Sequence, residues 1–119
     1  MDAMAITQKD GDIAQTIFEQ IGGKAFAFMV GMKKETVIKN GMMFRFMRNS
    51  TPFNHCLIRL NAWDTYDVTF TKVGGRVQWP YASTPTQTHS CVYFDQLREL
   101  FESVTGLATR VPKIITVNA

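Results

Sequence analysis

Gly41-Met42-Met43-Phe44-Arg45-Phe46-Met47-Arg48 reads as one strand of a half-buried sheet. Phe44 and Phe46 fall on one side of it and Arg45 on the other. Two further stretches repeat the pattern, His55-Cys56-Leu57-Ile58-Arg59-Leu60 and Tyr66-Asp67-Val68-Thr69-Phe70-Thr71-Lys72. In the last of these Tyr66, Val68 and Phe70 share a face opposite Asp67, Thr69 and Thr71. Strict alternation with a period of two marks an antiparallel sheet that packs on one face and meets water on the other. The wet face carries arginine.

Outward from this centre, Asn40-Gly41 is a hairpin-turn dipeptide that joins a strand at 36–39 to the strand beginning at Met42. Upstream, the apolar run Ala25-Phe26-Ala27-Phe28-Met29-Val30, entered from Lys24, reads as a short strand, and Gly31-Met32-Lys33-Lys34 as a turn. Downstream, residues 49–54 form a polar loop, and Ala62-Trp63-Asp64-Thr65 connects strands at 55–61 and 66–73. Gly74-Gly75 turns the chain into a strand at 76–79. Pro80 ends that strand because it has no N–H for a ladder. Residues 80–89, rich in Thr, Ser and Pro, read as a loop.

Helices flank the sheet. Asp12 and Gln15 have the spacing of a capping box, and Ile13, Ile17, Phe18 and Ile21 form a helical apolar stripe that Gly22-Gly23 closes. A second helix over 92–105 places Phe94, Leu97, Leu100, Phe101 and Val104 on one side and Asp95, Arg98, Glu99 and Glu102 on the other. Gly106 follows as its cap. Residues 1–11 read as a loose leader and 107–119 as a tail. The expected architecture is a single α+β domain over 1–119. It has an antiparallel meander of five or six strands at 24–79, with helices at 12–21 and 92–105 on its apolar face.

Composition narrows the function classes. A chain of 119 residues with 45% hydrophobic content builds one core without staples. Cys56 and Cys91 form no CxxC or metal pattern, and read as two buried thiols of a reducing cytoplasm. No apolar run reaches the roughly 20 residues that span a bilayer, and the N-terminus does not resemble a signal peptide. The charge is uneven. Residues 24–76 carry nine basic and three acidic side chains, net +6, against −3 elsewhere. A basic sheet with acidic flanks suits a polyanion.

No catalytic constellation stands out. The two histidines, His55 and His89, lack the company an active site needs. His55 and Cys56 are adjacent on a strand and point to opposite faces. His89 and Cys91 are too few for zinc, and Asp64 and Asp67 suit turn capping. The protein is expected to be no enzyme and to hold no metal or cofactor. Phosphate contact is expected from Arg45, Arg48, Arg59 and Lys72, and base stacking from Trp63 or Trp79, with Lys33, Lys34, Lys39 and Arg76 as further nucleic-acid- or partner-binding residues.

Two resemblances bear on this reading. A curved antiparallel meander ending in Tyr93-Phe94-Asp95-Gln96-Leu97-Arg98-Glu99-Leu100-Phe101 resembles the architecture of Whirly-type single-stranded-DNA-binding proteins. That likeness implies an open sheet, single-stranded nucleic acid as partner and a tendency to dimerise. It carries over no binding residue. Ile17-Phe18-Glu19-Gln20-Ile21-Gly22-Gly23 and the stretches 57–68 and 95–101 look like small uncharacterised phage and prophage proteins. This second likeness implies a viral origin in a host-cell cytoplasm. Proteins of that kind act on DNA or block host defences, including CRISPR effector complexes. The expected function is single-stranded nucleic-acid binding through the basic sheet face. The alternative is an anti-CRISPR-type protein that occupies a host defence protein.

Overall fold

Thr7 caps the first helix. Its hydroxyl accepts the Asp10 N–H at 3.3 Å while the Asp10 carboxylate accepts the Thr7 N–H at 3.0 Å, so two donors at the helix start are satisfied reciprocally. Helix α1 therefore spans Gln8–Ile21, four residues earlier than the expected start at Asp12. The computed structural model describes residues 5–73 and 86–109. The expected strand at 76–79 with Arg76 and Trp79, the Gly74-Gly75 turn and the tail beyond residue 109 lie outside them.

Gly22 separates α1 from α2, Gly23–Val30. It has φ +136°, and a Cβ there would collide with the Arg98 guanidinium and with Phe26. Only glycine fits both constraints. Helix α2 replaces the strand expected from Ala25 to Val30. The alternation Ala25-Phe26-Ala27-Phe28 imitates a strand, but the helix buries Phe26 and Val30, one turn apart, and leaves Phe28 81% exposed. Left-handed Gly31 ends it.

The sheet follows as β1 (Lys33–Ile38), β2 (Gly41–Arg45), β3 (His55–Leu60), β4 (Tyr66–Thr71) and β5 (Thr86–Val92). All neighbours are antiparallel and their order in space is their order in the chain. The expected meander is thus present, with five strands among the described residues. Two boundaries move. Lys33 and Lys34 belong to β1 rather than to a turn, and β5 takes in the end of the expected loop at 80–89, from Thr86 on, and the expected first residue of the last helix, Val92. Helix α3 begins at Leu97, after a single 3-10 turn at Phe94–Gln96, and runs to Thr105.

The alternation sorts residues as read. Met42, Phe44, Cys56, Ile58, Tyr66, Val68 and Phe70 are buried on the inner face, where the helices pack. Phe101 of α3 sits at the centre. Its ring centroid lies 5.0 Å from those of Phe26 and Phe46 and 5.9 Å from that of Phe70, which ties α2, α3 and the sheet into one aromatic cluster. At Gly41 the β2 backbone passes so close to the Ile58 carbonyl that a Cβ has no room. Among the described residues no helix is long and apolar enough to cross a membrane.

Candidate nucleic-acid interface

The outer face is built from the residues left over by the core. Strand register lines them up in rows across the sheet. One row is Lys33, Arg45, His55, Thr71 and Thr86. The next is Thr36, Met43, Leu57, Thr69 and Thr88, and a third contains Ile38, Gly41, Arg59 and Asp67. The face is thus basic at one end, apolar and hydroxylated in the middle, and charge-balanced at the other.

The basic end is where β1 begins, β2 ends, β3 begins and β4 ends. There the loop at 46–54 folds back beside the sheet and leaves a hollow of about 470 Å³. Lys33, Arg48, Lys72, Asn49, Thr51 and Asn54 line it, with apolar walls from Phe46, Met47, Pro52 and Phe53. No carboxylate lines it. The hollow therefore brings together three cations that arrive from β1, the loop and the end of β4.

The loop is held firmly. The Asn49 amide donates to the Met47 carbonyl at 3.0 Å and the Phe53 carbonyl at 2.9 Å, and its oxygen accepts from the N–H and hydroxyl of Thr51. Asn54 exchanges two bonds with Val73, accepting the Val73 N–H at 2.8 Å and donating to its carbonyl at 3.0 Å. The Met47 N–H reaches the Val30 carbonyl at 2.9 Å. Arg48 and Lys72 are exposed on this scaffold, so an anion meets preformed donors rather than a loop it must order.

Arg45 is placed differently from its neighbours. Its guanidinium crosses β3 and donates to the Val73 carbonyl at 3.4 Å, over His55. Burial, and then the Arg45 charge, holds the His55 imidazole below its usual pKa, and its Nδ1 is buried without a hydrogen-bond partner. His55 is therefore a neutral spacer under Arg45 near neutral pH.

The remaining sequence candidates are dispersed. Lys34 is exposed at the bulge of β1, with φ +56°. Lys39 lies in the β1–β2 turn and pairs with Asp10 at 3.7 Å, far from the hollow at the other end of the sheet. Arg59 is also at that end, opposite Asp67 in register and four residues, roughly 13 Å, from His55 along β3. Trp63 is 76% exposed in the loop between β3 and β4, again at the far end. Asn61 builds that loop by accepting the Trp63 N–H at 2.9 Å and the Thr65 N–H at 3.2 Å. Trp63 thus does not close the core and does not line the basic hollow. Arg76 and Trp79 are outside the described residues.

Sequence reasoning missed Asn49, Thr51 and Asn54, although the Asn- and Thr-rich loop was visible as a polar segment. It also missed a second hollow, about 410 Å³, at the far end between α1 and the start of β4. Lys9, Asp12, Asp64, Tyr66 and Phe94 line this one. The Tyr66 hydroxyl donates to Gln20 at 2.6 Å, and burial, with the Asp64 charge, raises its pKa. Trp63, Tyr93 and Phe94 are exposed around this end. Of the two thiols, Cys56 is buried as expected, but Cys91 is exposed, and the two are free. Among the described residues no group of His, Cys, Asp or Glu is arranged to hold a metal ion.

No family model matches the chain, and searches of curated proteins and of solved structures found no match either.

Proposed function

We propose that this protein binds single-stranded nucleic acid without transforming it, gripping the phosphate backbone at the basic end of the open sheet face. The observation that carries this reading is the convergence of Lys33, Arg48 and Lys72 on one hollow that no carboxylate lines. Lysine and arginine held at fixed positions follow a phosphate chain without reading its sequence. On the outer face, the row next to that of Lys33, Arg45 and His55 holds Met43 and Leu57, both half-buried, a low apolar shelf on which unpaired bases can lie. Within one chain Trp63 lies at the other end and does not line that hollow.

The test is fluorescence anisotropy of a labelled single-stranded oligonucleotide titrated with the protein at low and moderate salt. Micromolar binding that weakens with salt supports the reading. Absence of binding at low salt overturns it.

One observation favours a second reading, a phage counter-defence protein that inhibits a host effector complex by protein contact. The exposed aromatics Trp63, Tyr93 and Phe94 at the far end have the chemistry of interface anchors. Capture of a host protein that depends on Trp63 and responds little to salt supports this alternative.

A further inference from the structure

The two edges of the sheet differ in a way that the nucleic-acid reading does not use. An edge strand presents unpaired N–H and C=O groups, and proteins that stay monomeric blunt such edges with charge, bulges or cover. Strand β1 is blunted three times over. It carries Lys33, Lys34 and Glu35, its pairing with β2 is interrupted between Lys33 and Thr36, and α1 lies against it. Among the described residues strand β5 has only one of these devices, a slip in its pairing with β4 between Tyr66 and Val68, where Cys91 takes φ +58°. Thr86-Gln87-Thr88-His89-Ser90-Cys91-Val92 contains no lysine, arginine or carboxylate, spans seven residues, and is exposed along almost its whole length. Among the described residues no strand pairs with its outer edge.

We propose that β5 pairs antiparallel with β5 of a second copy, joining two sheets into one of ten strands about a twofold axis. Self-pairing demands a strand that does not repel its own image. An antiparallel β1–β1 contact would bring lysines together, whereas β5 meets itself with hydroxyls and amides. Space is available as well. Between β5 and α3 lies a hollow of about 590 Å³, lined by Ser90, Cys91, Gln96, Glu99, Leu100 and Ser103, which accepts side chains of the incoming strand on the inner side.

The symmetry has a consequence for the outer face. The twofold inverts one protomer relative to the other while keeping both outer faces on the same side of the sheet. The basic end of one protomer then shares an end of the sheet with the partner's Trp63. From the loop after β3 to the end of the partner's β4 is three to four strand spacings, roughly 17 Å.

Sedimentation velocity on the full chain tests the pairing. The expected result is a species of twice the 13.5 kDa chain mass at tens of micromolar. Thr88→Lys with Ser90→Lys places like charges across the proposed pairing, and is expected to give a monomer with unchanged circular dichroism. Gln87→Cys is the second variant. Positions 87 and 91 of one strand are too far apart for an internal disulfide. Mild oxidation is therefore expected to join the introduced thiol at position 87 to Cys91 of the partner subunit. A wild-type monomer overturns the proposal, as does a dimer that survives both lysines and does not cross-link through Gln87→Cys.

Discussion

Replacing Lys72 by alanine isolates the electrostatic part of the proposed binding. Lys72 is exposed, follows the last residue of β4 and lines the basic hollow with Lys33 and Arg48. Three cations that each displace one counterion from a single strand give a log–log salt slope of about −2, at roughly 0.7 per phosphate contact. Between about 50 and 200 mM salt that slope lowers the affinity about 18-fold. Lys72→Ala removes one contact, so the slope falls to about −1.4 and the same salt step costs only about 7-fold. Arg59→Ala is the control, since Arg59 sits opposite Asp67 at the other end of the face. It keeps the full slope. Anisotropy titrations of both variants over a series of salt concentrations decide the matter. The fold is not at stake, because exposed substitutions of this kind shift stability by no more than about 0.5 kcal/mol. An unchanged slope in Lys72→Ala, or an equal loss in Arg59→Ala, refutes the assignment of the phosphate site to the hollow.

Three further outcomes follow from the structure. Phe101→Ala empties the centre of the aromatic cluster, and urea denaturation is expected to show a loss of about 3–5 kcal/mol, because Phe101 is only 1% exposed and touches rings from α2, β4 and the end of β2. The Asn40 N–H, with further bonds from Thr7, holds the Asp10 carboxyl down at about 2. A depressed folded-state pKa stabilises above the unfolded value of 3.8 and loses that effect as the pH falls towards 2. Asp10→Asn is therefore expected to be less stable at about pH 6 and to lose less than wild type between about pH 4 and 2 in thermal melts. Thiol titration of the native protein is expected to count one reactive cysteine, Cys91, and two after unfolding, since complete burial keeps Cys56 protonated. Two fast-reacting thiols in the native state would contradict this.

The sheet centre was legible because its residues obey one rule. In β2, β3 and β4 every second residue is apolar and, except for half-buried Leu60, buried, so period alone fixes both strand and face. Helix α2 breaks that rule. Its Ala-Phe-Ala-Phe run carries a strand-like pattern, and what decides for helix is the pair of glycines, Gly22 and Gly31, whose dihedrals only the folded context reveals. Strand β5 failed for the opposite reason. Its side chains are nearly all polar, and it is held by backbone pairing, by the Thr69–Thr88 contact at 3.3 Å and by His89 packing edge-on to Phe70. Thr7 offered a readable signal in Thr-x-x-Asp, but the stronger-looking Asp12 masked it. The basic hollow was only half legible. Charge excess pointed to lysines and arginines, but register alone tells that Lys33, Arg48 and Lys72 share an end and that Lys39, Arg59 and Trp63 do not.

The agreement between strand order and chain order has a bearing on how quickly the molecule assembles. Each strand finds its partner in the segment just synthesised, so no pairing waits for a distant stretch of chain, and each local closure has a small entropic cost. The helices close on the sheet through contacts between segments far apart in the chain. One is the Arg98 side chain of α3 reaching the Ile21 carbonyl at the end of α1, 77 residues back, at 3.2 Å. Hairpins form on the microsecond scale, and this clasp joins the first helix to the last. A chain cut short before Leu97 leaves Phe26, Phe46 and Phe70 without the ring that joins them.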